Sequence, residues 1–371
     1  MMQESFSSIT DTRQQAQVRH NLFDIIAMTI AGVIANCDGW HEIEDFCRHK
    51  EDWLRERMGL SLEHGVPSAT TFARVWGQID PKAFEKCFTE WTGKVHEKIK
   101  GEVISIDGKT VRGSRDKDRQ PIHMISAWAS EQELVLGQMC VEEKTNEIPT
   151  VPLLLELLDI SECIVTADAM SCQRETAKKI MDGKADYVLG LKENQPTLYE
   201  YAEDYFSDAL QNPQWYPEVT STVTVDKGHG RIEHRTYYLT TDLSGLATAD
   251  EWAGLAAIGM VRSRVTIGET KTTETRYAIT SLKSIEAFAD AMRRHWSIEN
   301  GLHYCLDVSF REDHSRIRKD HAPENMAVIR HLALSALKQL PVPKKTSLKR
   351  LRKICAYDTD LLAEAMNFIL L

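Results

Sequence analysis

The sequence predicts a mixed α/β protein whose sheet is preceded by an all-helical N-terminal region. Up to about residue 100 the apolar residues recur with the helical period, and directly afterwards they alternate as they do in strands. Three strand patterns then follow one another, and later strand patterns alternate with helix patterns. This order is typical of a mixed sheet with helices packed on its faces.

The composition limits the kind of protein this chain can be. Its 371 residues include 45 Lys and Arg against 55 Asp and Glu, so the net charge is −10. This balance excludes a protein that coats nucleic acid through an overall positive charge, but it leaves room for local basic patches. The longest apolar stretch, residues 25–35, is shorter than the roughly 18 residues of a membrane helix. We therefore expect a cytoplasmic protein that makes no membrane contact.

The helical region contains four segments, at residues 22–35, 40–58, 69–79 and 82–98. Ser68 is a good N-cap for the third segment, and Asp80-Pro81 supplies a cap and a first-turn proline for the fourth. Two helices joined by so short a turn are compatible with a DNA-binding helix-turn-helix, and an ordinary helical hairpin is the alternative. We expect residues 1–100 to form one helical domain.

Short apolar runs bounded by turn residues predict the sheet. The first strand ends at a predicted turn, Gly108-Lys109, and strands four and five alternate with helices at 150–158 and 172–182. A β-rich block at about 215–282 interrupts this alternation, so we interpret it as an insertion. The strands are predicted at residues 103–107, 122–129, 134–141, 163–167, 187–191, 221–225, 235–240, 256–262 and 273–280.

The helical period resumes at Ser284, and a basic segment lies near the end of the chain. Residues 338–353 hold seven Lys or Arg and no acid. In an acidic protein such a segment is a candidate surface for DNA phosphates, and a solvated helix face is the alternative.

Two aspartates directly follow apolar strand patterns. Asp107 ends the first strand, and Asp168 follows the fourth. A carboxylate in such a position costs several kcal/mol unless it is paired or bound to a metal, and α/β sheets bind ligands at strand ends. The alternative for each one is a turn or helix-capping aspartate.

Glu299 is a third candidate because of its place on the helix that follows. On a helical wheel that starts at Phe288, it falls inside the apolar stripe that contains Met292, Trp296 and Leu302. Glutamate is rarely buried without a partner, so the alternative is an ion pair with a nearby arginine. We expect Trp296 to be a core residue.

Together the three acids predict a site for Mg²⁺ or Mn²⁺, which prefer carboxylate oxygens. Two such ions can activate the attacking oxygen and stabilise the leaving oxygen in phosphodiester cleavage. Glu312 and Asp313 are rival acids, but they lie beyond the apolar helix, and we expect them on a solvated turn.

Several short motifs occur in an order that is familiar from one family. They include the stretches 106–110 (IDGKT), 166–170 (TADAM), 190–195 (GLKENQ), 229–233 (HGRIE) and 295–300 (HWSIEN). With residues 39–46 (GWHEIEDF) and 306–308 (LDV), the chain closely resembles the H-repeat-associated transposases, an insertion-sequence group within the DDE transposases, over nearly its whole length.

The resemblance implies a ribonuclease-H-like catalytic core at residues 101–371, with Asp107, Asp168 and Glu299 as the metal-binding catalytic triad. It also implies an accessory DNA-binding role for residues 1–100. The implied activity is cleavage at the ends of an insertion sequence and joining of the 3′-OH to target DNA, carried out by a homo-oligomer. The alternatives are a nuclease without strand transfer and a degenerate copy that only binds DNA.

One departure from related bacterial transposases concerns the residues around the glutamate. Many relatives carry Tyr, Arg and Lys where this chain has Met292, His295 and Leu306, so Arg294 and His303 are candidates for that role. Other polar residues follow the catalytic strands or lie in the β-rich block. The predicted DNA-binding residues are Lys109, Arg112, Lys192, Asn194, Gln195, His229, Arg231, Arg235, Arg294 and His303.

Overall fold

A computed structural model describes residues 2–14, 16, 18–97, 99–117, 119–141, 147–228, 230–343 and 345–370. The helices are α1 Met2–Phe6, α2 Leu22–Ile34, α3 Trp40–His49, α4 Glu51–Glu56, α5 Ala69–Gln78, α6 Pro81–Val95, α7 Glu147–Glu156, α8 Arg174–Asp182, α9 Pro196–Gln211, α10 Ile285–His295, α11 Tyr304–Val308, α12 Ala322–Gln339, α13 Leu348–Tyr357 and α14 Thr359–Leu370. The strands are β1 Val103–Thr110, β2 His123–Ala129, β3 Leu134–Val141, β4 Ile164–Ala167, β5 Asp186–Leu191, β6 Thr220–Gly228, β7 Arg231–Thr240, β8 Ala257–Ile267 and β9 Thr270–Thr280.

The strands form one mixed sheet in the order β3-β2-β1-β4-β5-β9-β8-β7-β6. The meander β1–β3 is antiparallel, whereas β1 pairs with β4 and β4 with β5 in parallel. Parallel neighbours need crossover connections, and helices α7 and α8 lie in the two connections that lead to β4 and β5. The predicted α/β class is confirmed, with the mixed sheet of a ribonuclease-H-like fold.

The β-rich block extends this sheet. Strand β9 pairs antiparallel with β5, from Val188 opposite Thr280 to Leu191 opposite Tyr277. Strands β8, β7 and β6 follow outward from β9. The ends of β8 and β9 near Tyr277 are buried, and their far ends, up to Ile267, are exposed. The block therefore begins inside the core and projects into solvent as a long β-ribbon.

Two local predictions are wrong. The segment 40–58 forms two helices, because the backbone of Lys50 (φ −116°, ψ 19°) leaves the helical conformation between them. Gly108-Lys109 is not a turn, since β1 continues through both residues and pairs with β2. A Cβ at Gly108 would lie only 2.5 Å from Nε2 of His123, so close packing on β2 accounts for this glycine.

One hydrophobic core joins the two ends of the chain. It contains buried residues of the N-terminal helices α2, α3, α5 and α6 together with residues of α12, α13 and α14. Arg352 in α13 is fully buried and donates hydrogen bonds to the carbonyl oxygen of Val33 (3.0 Å) and to Asp38 (2.9 Å). The division into domains near residue 100 stays a prediction. No helix in the described part of the chain is both long enough and apolar enough to cross a membrane.

Candidate active site

The parallel register of β1 and β4 brings Asp107 and Asp168 next to each other. Ile106 is paired with Ala167, and each aspartate is the next residue in its chain. The predicted neighbourhood of these two acids is therefore present at the carboxyl end of β4, where α/β sheets bind ligands.

Glu299 is brought to the same place by a feature that the helical wheel does not contain. Helix α10 ends at His295, and the residues Glu299–His303 form a π-helical turn that leads into α11. The Glu299 side chain is 50% exposed, so its predicted position at the centre of a buried stripe is wrong. The reason is a break in the helix before Glu299, because α10 ends at His295 and Trp296 (φ −69°, ψ −8°) departs from regular helical geometry. Such turns are frequent at functional sites.

His303 faces two of the acids. Its Nδ1 lies 3.6 Å from Oδ2 of Asp107 and 3.6 Å from Oε2 of Glu299. Among the described residues, these three side chains offer ligand atoms that lie within 4.8 Å of one another. Distances of 3.6 Å are too long for hydrogen bonds, and they lie between the roughly 3.0 Å and 4.2 Å that separate adjacent and opposite ligands of an octahedral ion with bonds of about 2.1 Å.

The surroundings of Asp107 disfavour its ionised form. Burial raises the pKa of Asp107 to about 6, and the nearby carboxylates of Glu299 and Asp168 act in the same direction. The imidazole of His303 opposes that shift for Asp107 and lowers the pKa of Glu299 below its ordinary value. A cation among these groups would stabilise the ionised form of Asp107.

The end of α10 is fixed to the sheet beside the acids. Nδ1 of His295 lies 3.0 Å from the hydroxyl of Thr166, the residue two positions before Asp168, and burial lowers the pKa of this histidine. Trp296 is 40% exposed, with the guanidinium carbon of Arg276 4.3 Å from its ring centre, so its predicted core position is wrong. The chain turns after α10, which leaves this indole on the surface one residue beyond the anchored histidine.

Lys109 lies two residues beyond Asp107 on β1 and is bound by acids. Its Nζ is 2.8 Å from Oδ1 of Asp307 and 3.0 Å from Oε2 of Glu312. Burial alone would lower the pKa of Lys109, but these carboxylates outweigh burial and raise it. In this structure the ammonium group is therefore engaged within the protein.

Glu312 is buried, so the expectation that it lies on a solvated turn is wrong. Its side chain is 1% exposed, and Arg330 donates to it from 3.3 Å. Burial would raise the pKa of Glu312, yet the cations Lys109 and Arg330 lower it. Glu312 therefore lies inside because it neutralises two buried cations beside the candidate site. Asp313 is 22% exposed and accepts a hydrogen bond from the backbone of Arg112 at 3.0 Å.

Two of the predicted DNA-binding residues connect neighbouring loops. The Asn194 amide donates to the carbonyl oxygen of Ala169 (2.7 Å), and the Gln195 amide donates to that of Cys172 (2.9 Å). The loop after β5 is thereby fixed to the loop that follows Asp168. The structure gives these two side chains a role in positioning the loop.

The remaining predicted DNA-binding residues are distributed over the surface. Arg112, Lys192 and Arg231 are exposed, whereas Arg235 pairs with Asp226 and Glu233. Arg294 forms ion pairs with Asp290 and Glu131. His229 lies outside the described residues. His303 lies 3.6 Å from both Asp107 and Glu299, and the DNA-binding assignments stay predictions.

Sequence reasoning missed the network around Lys109. One signal was present, because residues two apart on a strand point to the same side, so Lys109 shares the face of Asp107. A lysine on that face of a strand next to a buried sheet needs an anionic partner. The partners Asp307 and Glu312 are about 200 residues away in the chain, and no local pattern identifies them.

Family models match the two parts of the chain. Residues 98–336 match a model described as a transposase DDE domain, and residues 3–92 match one described as associated with that domain. YncI of Escherichia coli O157:H7, whose name describes a transposase, is 41% identical over 369 residues, which cover 97% of this chain and 93% of YncI.

Two further comparisons give related results. YhhI of Escherichia coli K12, whose name describes an H repeat-associated transposase, is 38% identical, with 98% of this chain and 97% of YhhI covered. Among solved structures, the piggyBac transposase synaptic complex with hairpin DNA aligns with a TM-score of 0.44 and 12% identity, covering 99% of this chain and 77% of that one.

Proposed function

Because this chain belongs to the H-repeat-associated group of DDE transposases, we propose that it cleaves phosphodiesters at the ends of its insertion sequence and joins the freed 3′-OH to target DNA. The observation that carries this proposal is that Asp107 and Glu299 offer ligand atoms within 4.8 Å of each other, while Asp168 follows the strand residue that is paired with Ile106. Both steps are displacements at phosphorus, so one site can serve both.

The donor set at the site fits Mg²⁺ or Mn²⁺. Asp107, Glu299 and Nδ1 of His303 converge on one point, and Asp168 stands beside Asp107 on the neighbouring strand. We propose that the three carboxylates hold the ions and that the His303 imidazole adds a nitrogen ligand on the side of Glu299. When bound, the ions activate the attacking oxygen and stabilise the leaving oxygen.

The protein's own residues position the metal-binding acids and contact the DNA. Asp107 and Asp168 lie on paired strands, so the sheet fixes their separation, whereas Glu299 lies on the half-exposed π turn. On the same side of β1 as Asp107, Lys109 and Glu312 form a buried ion pair. We propose that exposed cations such as Arg112 and Lys192 contact the phosphates of the bound DNA.

The proposal is tested with the full-length protein and a supercoiled plasmid that carries its gene with the natural flanking DNA. We expect nicked and strand-transfer products with Mg²⁺ or Mn²⁺, and none with EDTA. Nicked products without joined ones would indicate a nuclease that lacks strand transfer. A gel shift of the DNA with no cleavage in either Mg²⁺ or Mn²⁺ would indicate a copy that only binds DNA, and it would contradict the proposal.

A further inference from the structure

An arginine-lined groove lies in the N-terminal helical region, in the part of the chain that precedes the sheet. Its volume is about 580 Å³, and its lining includes Arg13, Arg19, Arg48, Arg74 and His20. None of the described residues that line it is Asp or Glu. The net charge of the protein is −10, so the four guanidinium groups around this open groove form a local surface of the opposite, positive charge.

The groove has a rigid floor because α5 is anchored from behind. The half-buried Thr71 and the exposed Arg74 and Gln78 are three and four residues apart, so they share one face of α5. On the opposite face Trp76 donates its indole N–H to the hydroxyl of Thr29 at 2.9 Å. The side chain of Asn325 in α12 also donates to the carbonyl oxygen of Trp76 at 2.9 Å, which connects α5 to the helix that carries Arg330.

The arginines fall into two pairs. Arg13 is held by Asp11 through two hydrogen bonds (2.7 and 2.6 Å), and Arg48 is held by Glu44 (2.7 Å). The backbone N–H of Ala69 also donates to Glu44, at 2.7 Å, so this acid fixes α3 to the start of α5. Arg19 and Arg74 are exposed and have no ion-pair partner among the acids that the structure describes. Those two side chains are available to an anion.

We propose that this arginine groove binds the phosphate backbone of double-stranded DNA. Planar guanidinium groups bind phosphate oxygens in pairs, and contacts of this kind position a duplex without reading its bases. The predicted partner helix α6 turns its apolar face, including Phe84 and Trp91, into the core, so α5 supplies the DNA-facing surface of this helix pair. The inference rests on the proposed transposase function, which requires DNA to be held outside the catalytic site.

The test compares two double variants of the full-length protein that lose the same charge. Arg19→Gln with Arg74→Gln removes the unpaired arginines of the groove. Arg57→Gln with Lys86→Gln removes two exposed cations outside the groove and serves as the control. The affinity for a fluorescent duplex of random sequence is measured by anisotropy across a salt series, and thermal unfolding verifies that both variants are folded.

We expect the groove variant to bind the duplex about tenfold or more weakly at low salt, with a log–log salt slope shallower by about 2, at roughly 0.9 per phosphate contact. The control variant should keep the wild-type slope. Equal slopes for the groove variant and the wild type, or no binding of the wild type to the duplex, would overturn the inference. The nicking assay with the plasmid distinguishes the two proposals. Weaker duplex binding by the groove variant, together with no nicking by the wild type, would support the groove and contradict the transposase function.

Discussion

Replacing Asp107 with Asn, Asp168 with Asn or Glu299 with Gln is expected to lower plasmid nicking at least about a hundredfold in each case. Loss of groups that only support metal ligands typically costs 10–100-fold, so loss of a ligand itself should cost at least as much. The amides are nearly isosteric with the acids, and the removal of a negative charge from this cluster relieves repulsion, so the folded state should be retained. Nicking rates in Mg²⁺ and in Mn²⁺ provide the measurement.

The matched control is Asp290→Asn. This aspartate lies on α10, is half exposed and pairs only with the surface residue Arg294 in the described structure. Its variant should nick at the wild-type rate. Full activity of Glu299→Gln together with a loss in Asp313→Asn would show that the glutamate of the π turn is not the third acid.

The second large effect concerns stability. Glu312→Gln is expected to lower the free energy of unfolding by about 3–5 kcal/mol, because it leaves two buried cations with too little negative charge around them. Lys109 and Arg330 are 10% and 4% exposed at the side chain, so water cannot replace the lost carboxylate. Urea unfolding of the full-length protein, followed by circular dichroism, measures the change.

An exposed ion pair supplies the comparison for Glu312. Glu90 lies 3.9 Å from Lys86, with side chains 48% and 74% exposed, so Glu90→Gln should change the unfolding free energy by less than about 1 kcal/mol. The double variant Glu312→Gln with Lys109→Met should lose less than the sum of its single variants, because the removed cation no longer lacks a partner. A Glu312→Gln protein as stable as Glu90→Gln would disprove the role of the buried network.

The two strand aspartates could be predicted from sequence because their surroundings are local. An apolar run followed by an acid is visible in the sequence, whereas a common catalytic core for the two aspartates was implied by the family resemblance. Glu299 became a candidate through the resemblance of residues 295–300 and through the helical wheel, whose prediction of burial is wrong. The wheel assumes one continuous helix, whereas the turn at Glu299–His303 depends on packing that a periodic pattern does not encode.

The other parts of the site depend on contacts between distant segments. Lys109 and Glu312 are 203 positions apart, and the groove joins arginines from the N-terminal segment, from α3 and from α5. A run of basic residues in the sequence does not by itself show which of the side chains are exposed. In the basic segment 338–353, Arg352 is fully buried and Lys338 pairs with Glu133, although Lys349, Arg350 and Lys353 are exposed. Spatial clustering, which the sequence does not reveal, decides which cations face DNA.

The central claim is that Asp107, Asp168 and Glu299 hold divalent ions, and its most direct test is a Mn²⁺ titration followed by electron paramagnetic resonance. The full-length protein is titrated in complex with a duplex, with the duplex alone as the blank, alongside the three amide variants and Asp290→Asn. The account predicts saturable Mn²⁺ binding to the wild type and to Asp290→Asn, weakened at least about tenfold in each amide variant of the triad. Equal Mn²⁺ affinity in the wild type and all three triad variants would contradict it.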